Sequence, residues 1–337
     1  MLIKIKAMLR YPIPFALAML LIGGSFFLGK LLNTTSKSSI TATQNCSETM
    51  DQIRLKGYEY THPLLLTDIP EQSNMLHSIQ TDISTYINEA KSTQKADDIS
   101  VYFRRLDNGA KFVINPNTTY NPASMVKVVY LLTYMKMAEK NPTILNKQIF
   151  FNKHFSAPNV QNIVDFQLTE NRNYSVRDLL IAMIKHSDND ATLLLSQNMD
   201  GTIYSNVFID LAVPIPSQVG EYFISVTDFS KFFRVLYSAS YTTTELSEYA
   251  LELLTTSTFK DGLKQGLDEN IAMAHKFGER ILGTKAQIHE FGIVYYKNAP
   301  YLIGVMTIGN SQKQLSTIIG DISKIAFNDY KNLIGGS

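Results

Sequence analysis

Strand-like text occurs in two blocks of this chain, one near residue 100 and one after residue 270, and the text between them is mostly helical in period. The first block, ISVYFRRL and KFVIN, flanks Asp107-Asn108-Gly109, residues that tolerate the positive φ angles of a tight hairpin. The second holds AMAHKFGERI, HEFGIVYY and YLIGVMTIG, the last two joined by a short Lys-Asn-Ala-Pro turn. Strands at both ends with helices between predict an α+β fold, an α/β sandwich. Its antiparallel sheet is formed by both ends of the domain and flanked by helices, and a mostly helical subdomain is inserted. Met75, Ile79, Ile83 and Ile87 make one helical stripe, and Leu315, Ile318, Ile319, Ile322, Ile325 and Ala326 make another at the end. Ser175-Val-Arg-Asp178 and Ser225-Val-Thr-Asp228 have the spacing of capping boxes.

One of these helical segments opens with chemistry. Ser-x-x-Lys occurs at Ser92/Lys95, Ser124/Lys127 and Ser257/Lys260, so the pattern alone is weak. Context separates the three. The first and last lie in the polar stretches KSTQKADD and TTSTFKDG, whereas Ser124 opens the apolar run Met125 to Ala138. Asn121 can cap that helix, Pro122 suits its first position, and Ser124 falls in the first turn beside its own unpaired N–H, half of an oxyanion hole. A serine hydroxyl near neutral pH needs a base. Lys127 can serve only if burial and a nearby cation pull its pKa well below about 10.4. Ser187-Asp188-Asn189 and Lys276-Phe277-Gly278 follow in that order, each once in the chain. Together they suffice for acyl transfer through a serine ester.

With their flanking text, NPASMVK, HSDNDAT and AHKFGE, these elements resemble the penicillin-recognising serine hydrolases: class A β-lactamases and the related low-molecular-weight D,D-peptidases. The likeness runs from about residue 99 to the end. It implies Ser124 as nucleophile, Lys127 as base, and Ser187 passing a proton to the leaving amine. Asn189 would bond Lys127 and the substrate amide, and Lys276 would attract a substrate carboxylate. Gly278 would let the strand approach substrate closely, and the backbone N–H of Glu279 would complete the oxyanion hole. Asp188 is expected to order the loop, and His186 and His275 to play supporting roles. Two departures stand out. Phe277 replaces a threonine whose hydroxyl binds carboxylate, and it could wall the cleft, while Arg280, on the same strand face as Lys276 and Gly278, could compensate. The loop acid that drives deacylation in class A enzymes has no clear counterpart. Glu221 is the only glutamate in DLAVPIPSQVGEYFISVTDF, and Ser225 occupies the position where an asparagine partner is expected. Three readings stay open: a hydrolase of β-lactam or D-Ala-type peptide amides, a slowly deacylating penicillin-binding or sensor module, and a non-catalytic wall-interaction domain.

The N-terminus carries a separate signal. Between Arg10 and Lys30 lie 19 uncharged residues, preceded by Lys4, Lys6 and Arg10. At about 1.5 Å per residue such a helix spans a hydrocarbon layer of roughly 30 Å, and the positive-inside rule keeps the N-terminus cytoplasmic. A cleaved signal peptide competes, but LGKLLNTT offers no small-x-small site. Gly24-x-x-x-x-Gly29-Lys30 inside the span imitates a phosphate loop, with Leu31 where Ser or Thr is required. The expected layout is residues 1–10 cytoplasmic, 11–32 a transmembrane anchor, 33–60 a stalk, and 61–337 the hydrolase domain outside a bacterial-type cytoplasmic membrane. Net charge of +1 and the lack of a basic stripe argue against nucleic acid. Cys46 as the only cysteine rules out an intrachain disulfide, and the six histidines show no metal-ligand spacing. No cofactor, metal or obligate protein partner is inferred.

Overall fold

The computed structural model describes residues 51–57, 63–68, 74–155, 166–216 and 221–335. Its central sheet has five antiparallel strands: β1 (Asp98–Arg105), β2 (Lys111–Ile114), β3 (Ala272–Leu282), β4 (Lys285–Tyr295) and β5 (Tyr301–Gly309). They lie in the order β2-β1-β5-β4-β3. The two sequence blocks therefore meet in mid-sheet, where β1 pairs with β5, Gly304 opposite Tyr102. Gly109 turns the β1–β2 hairpin at φ +80°, a conformation open to glycine without strain.

Eight helices accompany the sheet among the described residues: α1 (His77–Ser92), α2 (Lys127–Lys140), α3 (Val176–Lys185), α4 (Asn189–Asn198), α5 (Gly201–Asp210), α6 (Val226–Tyr237), α7 (Thr244–Thr255) and α8 (Gln312–Gly335). Alternation along β5 assigns the faces. Tyr301, Ile303 and Val305 pack with Ile79, Ile83 and Ile87 of α1 and Leu315, Ile318, Ile319 and Ile322 of α8. Leu302 and Met306 point the other way, joining Tyr102, Phe291 and the buried residues of α2 to α7. Each such buried side chain is worth about 1.5–3 kcal/mol over exposure, so the sheet is clamped from both faces. At α3 the capping box forms in full: Asp178 N donates to Ser175 Oγ and Ser175 N donates to the Asp178 carboxylate, both at 3.1 Å. Asp228 N likewise donates to Ser225 Oγ at 3.0 Å at the start of α6.

Asp51–Arg54, at the end of the stretch read as a stalk, is a strand paired with Leu64–Asp68. The pairing sits beside the apolar Leu65 and Leu66, which are buried in the larger core cluster. The anchor at 11–32 and the stretch 33–50 lie outside the described residues.

Candidate active site

Ser124, the expected nucleophile, sits on a turn shaped by local hydrogen bonds. Asn121 Oδ1 accepts from Ala123 N at 3.0 Å, and Asn121 N donates to Gln287 Oε1 of β4 at 3.2 Å. Asn121 therefore bonds into the turn without being the helix cap that was expected. The first turn is 3₁₀, Ala123–Val126, with Pro122 at its cap position, and α2 begins only at Lys127 behind Val126, neither cap carrying a side-chain bond. Ala123 adopts φ +47°, a left-handed conformation that costs a non-glycine residue on the order of 1–3 kcal/mol. Ser124 follows it, half-buried.

Lys127 lies one turn on, in an apolar stretch, between Met125 and the buried Val128, Val129, Leu131 and Leu132. Burial pushes its pKa down to about 7, although the Asp188 and Glu279 carboxylates pull the other way. Its ammonium group donates to the Ser187 carbonyl, to Ser187 Oγ at 3.0 Å and to Asn189 Oδ1 at 2.9 Å. Ser187 reaches this point because the chain leaves α3 with Ser187 at φ +56°, and Asp188 then caps α4 by accepting from Ala191 N at 2.6 Å. Asp188 thus orders the loop, as expected.

The second lysine arrives from the sheet. Lys276 is wholly buried and donates to the same Ser187 Oγ at 3.0 Å. Burial, and then the charge of Lys127, hold its pKa well below the usual lysine value. Pairing of Lys276 with Phe291, Gly278 with His289 and Arg280 with Gln287 places these three β3 residues on one face. Gly278 abuts the Ser124 turn. A Cβ there would overlap the Pro122 carbonyl oxygen and lie 2.9 Å from Met125 N. The close approach that requires glycine is thus made to the Ser124 turn itself, and it brings the strand at Gly278 alongside that turn.

A family model described as a β-lactamase enzyme family matches residues 79–330. This chain belongs to that family. Among solved structures, the TLA-1 extended-spectrum β-lactamase superposes with a TM-score of 0.66 at 18% identity, over 76% of this chain and 99% of that one. A β-lactamase from Sphaerobacter thermophilus gives 0.64 at 18% identity, over 74% and 95% of the two chains. A point mutant of PBP-A, captured as an acyl-enzyme with penicillin G, gives 0.64 at 18% identity over 76% and 97%. A search of curated proteins found no match. At these identities the superpositions establish the β-lactamase fold.

Within this β-lactamase-family site, Phe277 does more than wall a cleft. Its ring stacks on Phe259 with centroids 4.0 Å apart and lies 4.1 Å from Lys276 Nζ. Arg280 pairs with Glu221, which also accepts from Asn121 Nδ2 at 3.4 Å. His275 bonds Glu290 at 2.6 Å through Nδ1, and Glu290 accepts from Leu263 N at 2.7 Å, which fixes β3 from behind. His186 stacks on Phe166 with centroids 4.6 Å apart. Sequence reading took Asn121 only as a cap and missed Phe259, Gln287 and Glu290. A glutamate amid the apolar text of a central strand was the one available signal for Glu290.

Proposed function

We propose that this chain is a membrane-anchored serine hydrolase that acylates Ser124 with β-lactams or D-Ala-type peptide amides and releases the acyl group slowly. The observation that supports it most is the convergence of Lys127, one helical turn on from Ser124, and Lys276 on the single hydroxyl of Ser187. Neutral Lys127, populated because its pKa lies near 7, takes the proton of Ser124 Oγ as the oxygen attacks the carbonyl carbon. The N–H groups of Ser124 and Glu279 receive the negative oxygen. Ser187 Oγ accepts from both ammonium groups, so its further role is as a donor: it delivers a proton to the departing nitrogen and regains one from Lys127. The C–N bond breaks, and an ester remains on Ser124.

Intact-mass and peptide-map analysis of the purified full-length chain after mixing with benzylpenicillin tests this. A penicilloyl group on Ser124 is expected, and an adduct on Ser187, or none with any β-lactam or ester probe, would remove the reading. The anchor at 11–32, with the domain outside the membrane, rests on the uncharged span and its preceding cations. An alkaline phosphatase fused after Ser337 should then be active.

A further inference from the structure

A chain of hydrogen bonds runs from the middle of the sheet to the Ser124 turn, and its direction is fixed. It begins at β5, where Thr307 N donates to His289 Nδ1 at 3.1 Å. His289 Nε2 lies 3.2 Å from Gln287 Oε1, and the same oxygen accepts from Asn121 N at 3.2 Å. Both ends of this chain are backbone N–H groups, which cannot reverse. Nδ1 must therefore be the bare ring nitrogen, the proton must sit on Nε2, and the Gln287 amide must present its oxygen. The ring and the amide are both buried. Burial pushes the His289 pKa down to about 3, against backbone groups of Asn121 and Ile288 that would raise it. The imidazole is thus neutral at every working pH. Tyr120 packs against it edge-on, with centroids 5.3 Å apart, and is itself held by Ser100 Oγ at 3.0 Å.

Asn121 receives this chain on its N–H and hands it on through Oδ1, which accepts from Ala123 N at 3.0 Å. Ala123 is the left-handed residue next to Ser124, at φ +47°. Such strain persists only where the surroundings over-determine it, and the bond to Gln287 holds Asn121 from the sheet side. Without the Nε2 proton, the Gln287 amide is free to turn its NH₂ toward Asn121 N–H, donor against donor. We propose that His289 and Gln287 are positioning residues for Ser124, a one-way relay that sets the turn from the sheet interior. The inference rests on the reading that Ser124 is acylated, and it adds what holds that serine in place.

Two measurements on the full-length chain test it. The first is the ring-nitrogen NMR spectrum of the wild type with ¹⁵N-labelled histidine, the His289 signals being those lost in His289→Gln. One neutral ring protonated on Nε2 and unchanged from about pH 5 to 9 is expected. A proton on Nδ1, or titration in that range, overturns the relay, and this result stands whether or not any variant folds. The second is the rate of Ser124 labelling by benzylpenicillin, followed against its concentration by mass spectrometry. Gln287→Met keeps the length of the side chain without the acceptor. Its limiting rate should fall about tenfold, the size of one lost hydrogen bond, while the half-saturating concentration stays within about twofold. Gln287→Glu, which still accepts from both donors, should recover most of that rate. A folded Gln287→Met that labels at the wild-type limiting rate overturns the positioning role alone. So does a Gln287→Glu no faster than Gln287→Met, or a loss that appears only in the half-saturating concentration. A wild type that never labels Ser124 removes the acylation reading and the positioning role with it.

Discussion

The centre of the site and its rim treat charge in opposite ways. At the centre, Lys127, Ser187, Asn189 and Lys276 form one network with donor–acceptor distances of 2.9–3.0 Å, and both lysines are buried. At the rim, the Arg280 and Glu221 side chains are 34% and 33% exposed and answer each other. Burial is what makes Lys127 chemically useful, because desolvation lowers the pKa of its amine to about 7 and frees its lone pair. A half-exposed ion pair is screened by water, contributes about 0–1 kcal/mol, and leaves its carboxylate already partnered. On the proposed reading the centre supplies the acylation chemistry, whereas at the rim the Glu221 carboxylate is committed to Arg280. Four substitutions can break this contrast or sharpen it.

Ser124→Ala has the largest expected effect. It removes the oxygen that forms the ester, so covalent labelling should vanish in intact-mass spectra while Tm stays near wild type. Retained stoichiometric labelling would place the nucleophile elsewhere.

Lys127→Ala comes next. Loss of a general base commonly slows a step by roughly 10²–10⁴-fold, and labelling of Ser124 should fall by that factor. The wild-type pH profile checks the same assignment. A lysine lowered to about 7 is protonated below that pH and cannot accept a proton. Acylation should drop about tenfold per unit below pH 7 and level off above it. An inflection near the ordinary lysine value of about 10.4 would show that Lys127 is solvated in the working enzyme.

Gly278→Ala has a smaller effect that separates packing from chemistry. The added methyl group would press on the Pro122 carbonyl and on Met125 N, which is held at 2.9 Å from the Cβ position. Overpacking of this kind costs about 1–3 kcal/mol, visible as a lower Tm in a thermal melt. Because the displaced backbone is the Ser124 turn, acylation should slow as well. A lower Tm with an unchanged acylation rate would mean that the strand's contact with the turn is structural only.

The contrast between centre and rim also describes what could be read from the chain. Periodicity and caps are local, so the hairpin at Gly109, the stripe of α1 from Ile79 onward, that of α8 and the Ser175 capping box were legible from sequence. Met75, read as the first member of the α1 stripe, is instead exposed in the 3₁₀ turn before the helix, and Leu76 is buried in its place. The three motifs were legible because each packs its chemistry into three or four residues. What escaped reading depends on distant partners. Nothing in Asp-Gln-Ile-Arg at 51–54 alternates strongly enough to announce a strand, and it becomes one by pairing with Leu64–Asp68. Phe259 acquires meaning only when the loop after α7 carries it onto Phe277. The left-handed Ala123 carries no sequence mark, since alanine there is a cost accepted at a site held by Asn121 and Gly278. The order in which strands join was predictable in outline, but the contacts of Glu221 were not, because Arg280 and Asn121 lie 59 and 100 residues away from it.

Glu221→Gln should have the smallest effect, and it bears most directly on the rim. Glu221 is the only glutamate in the stretch from Asp210 to Phe229, and its oxygens are spent on Arg280 and on Asn121 Nδ2 at 3.4 Å. A carboxylate bound to a guanidinium is poorly placed to take a proton from water. If deacylation proceeds without it, the amide should leave the decay of the Ser124 ester within about twofold of wild type, against the roughly 10²–10⁴-fold loss that removing a working base produces. The measurement is the lifetime of the penicilloyl adduct by mass spectrometry, expected to be minutes or longer in both proteins. Loss of the exposed ion pair should cost no more than about 1 kcal/mol in stability. Fast multiple turnover in the wild type, abolished in Glu221→Gln, would mean that Glu221 leaves Arg280 when the acyl group arrives and that rim and centre work as one hydrolytic site.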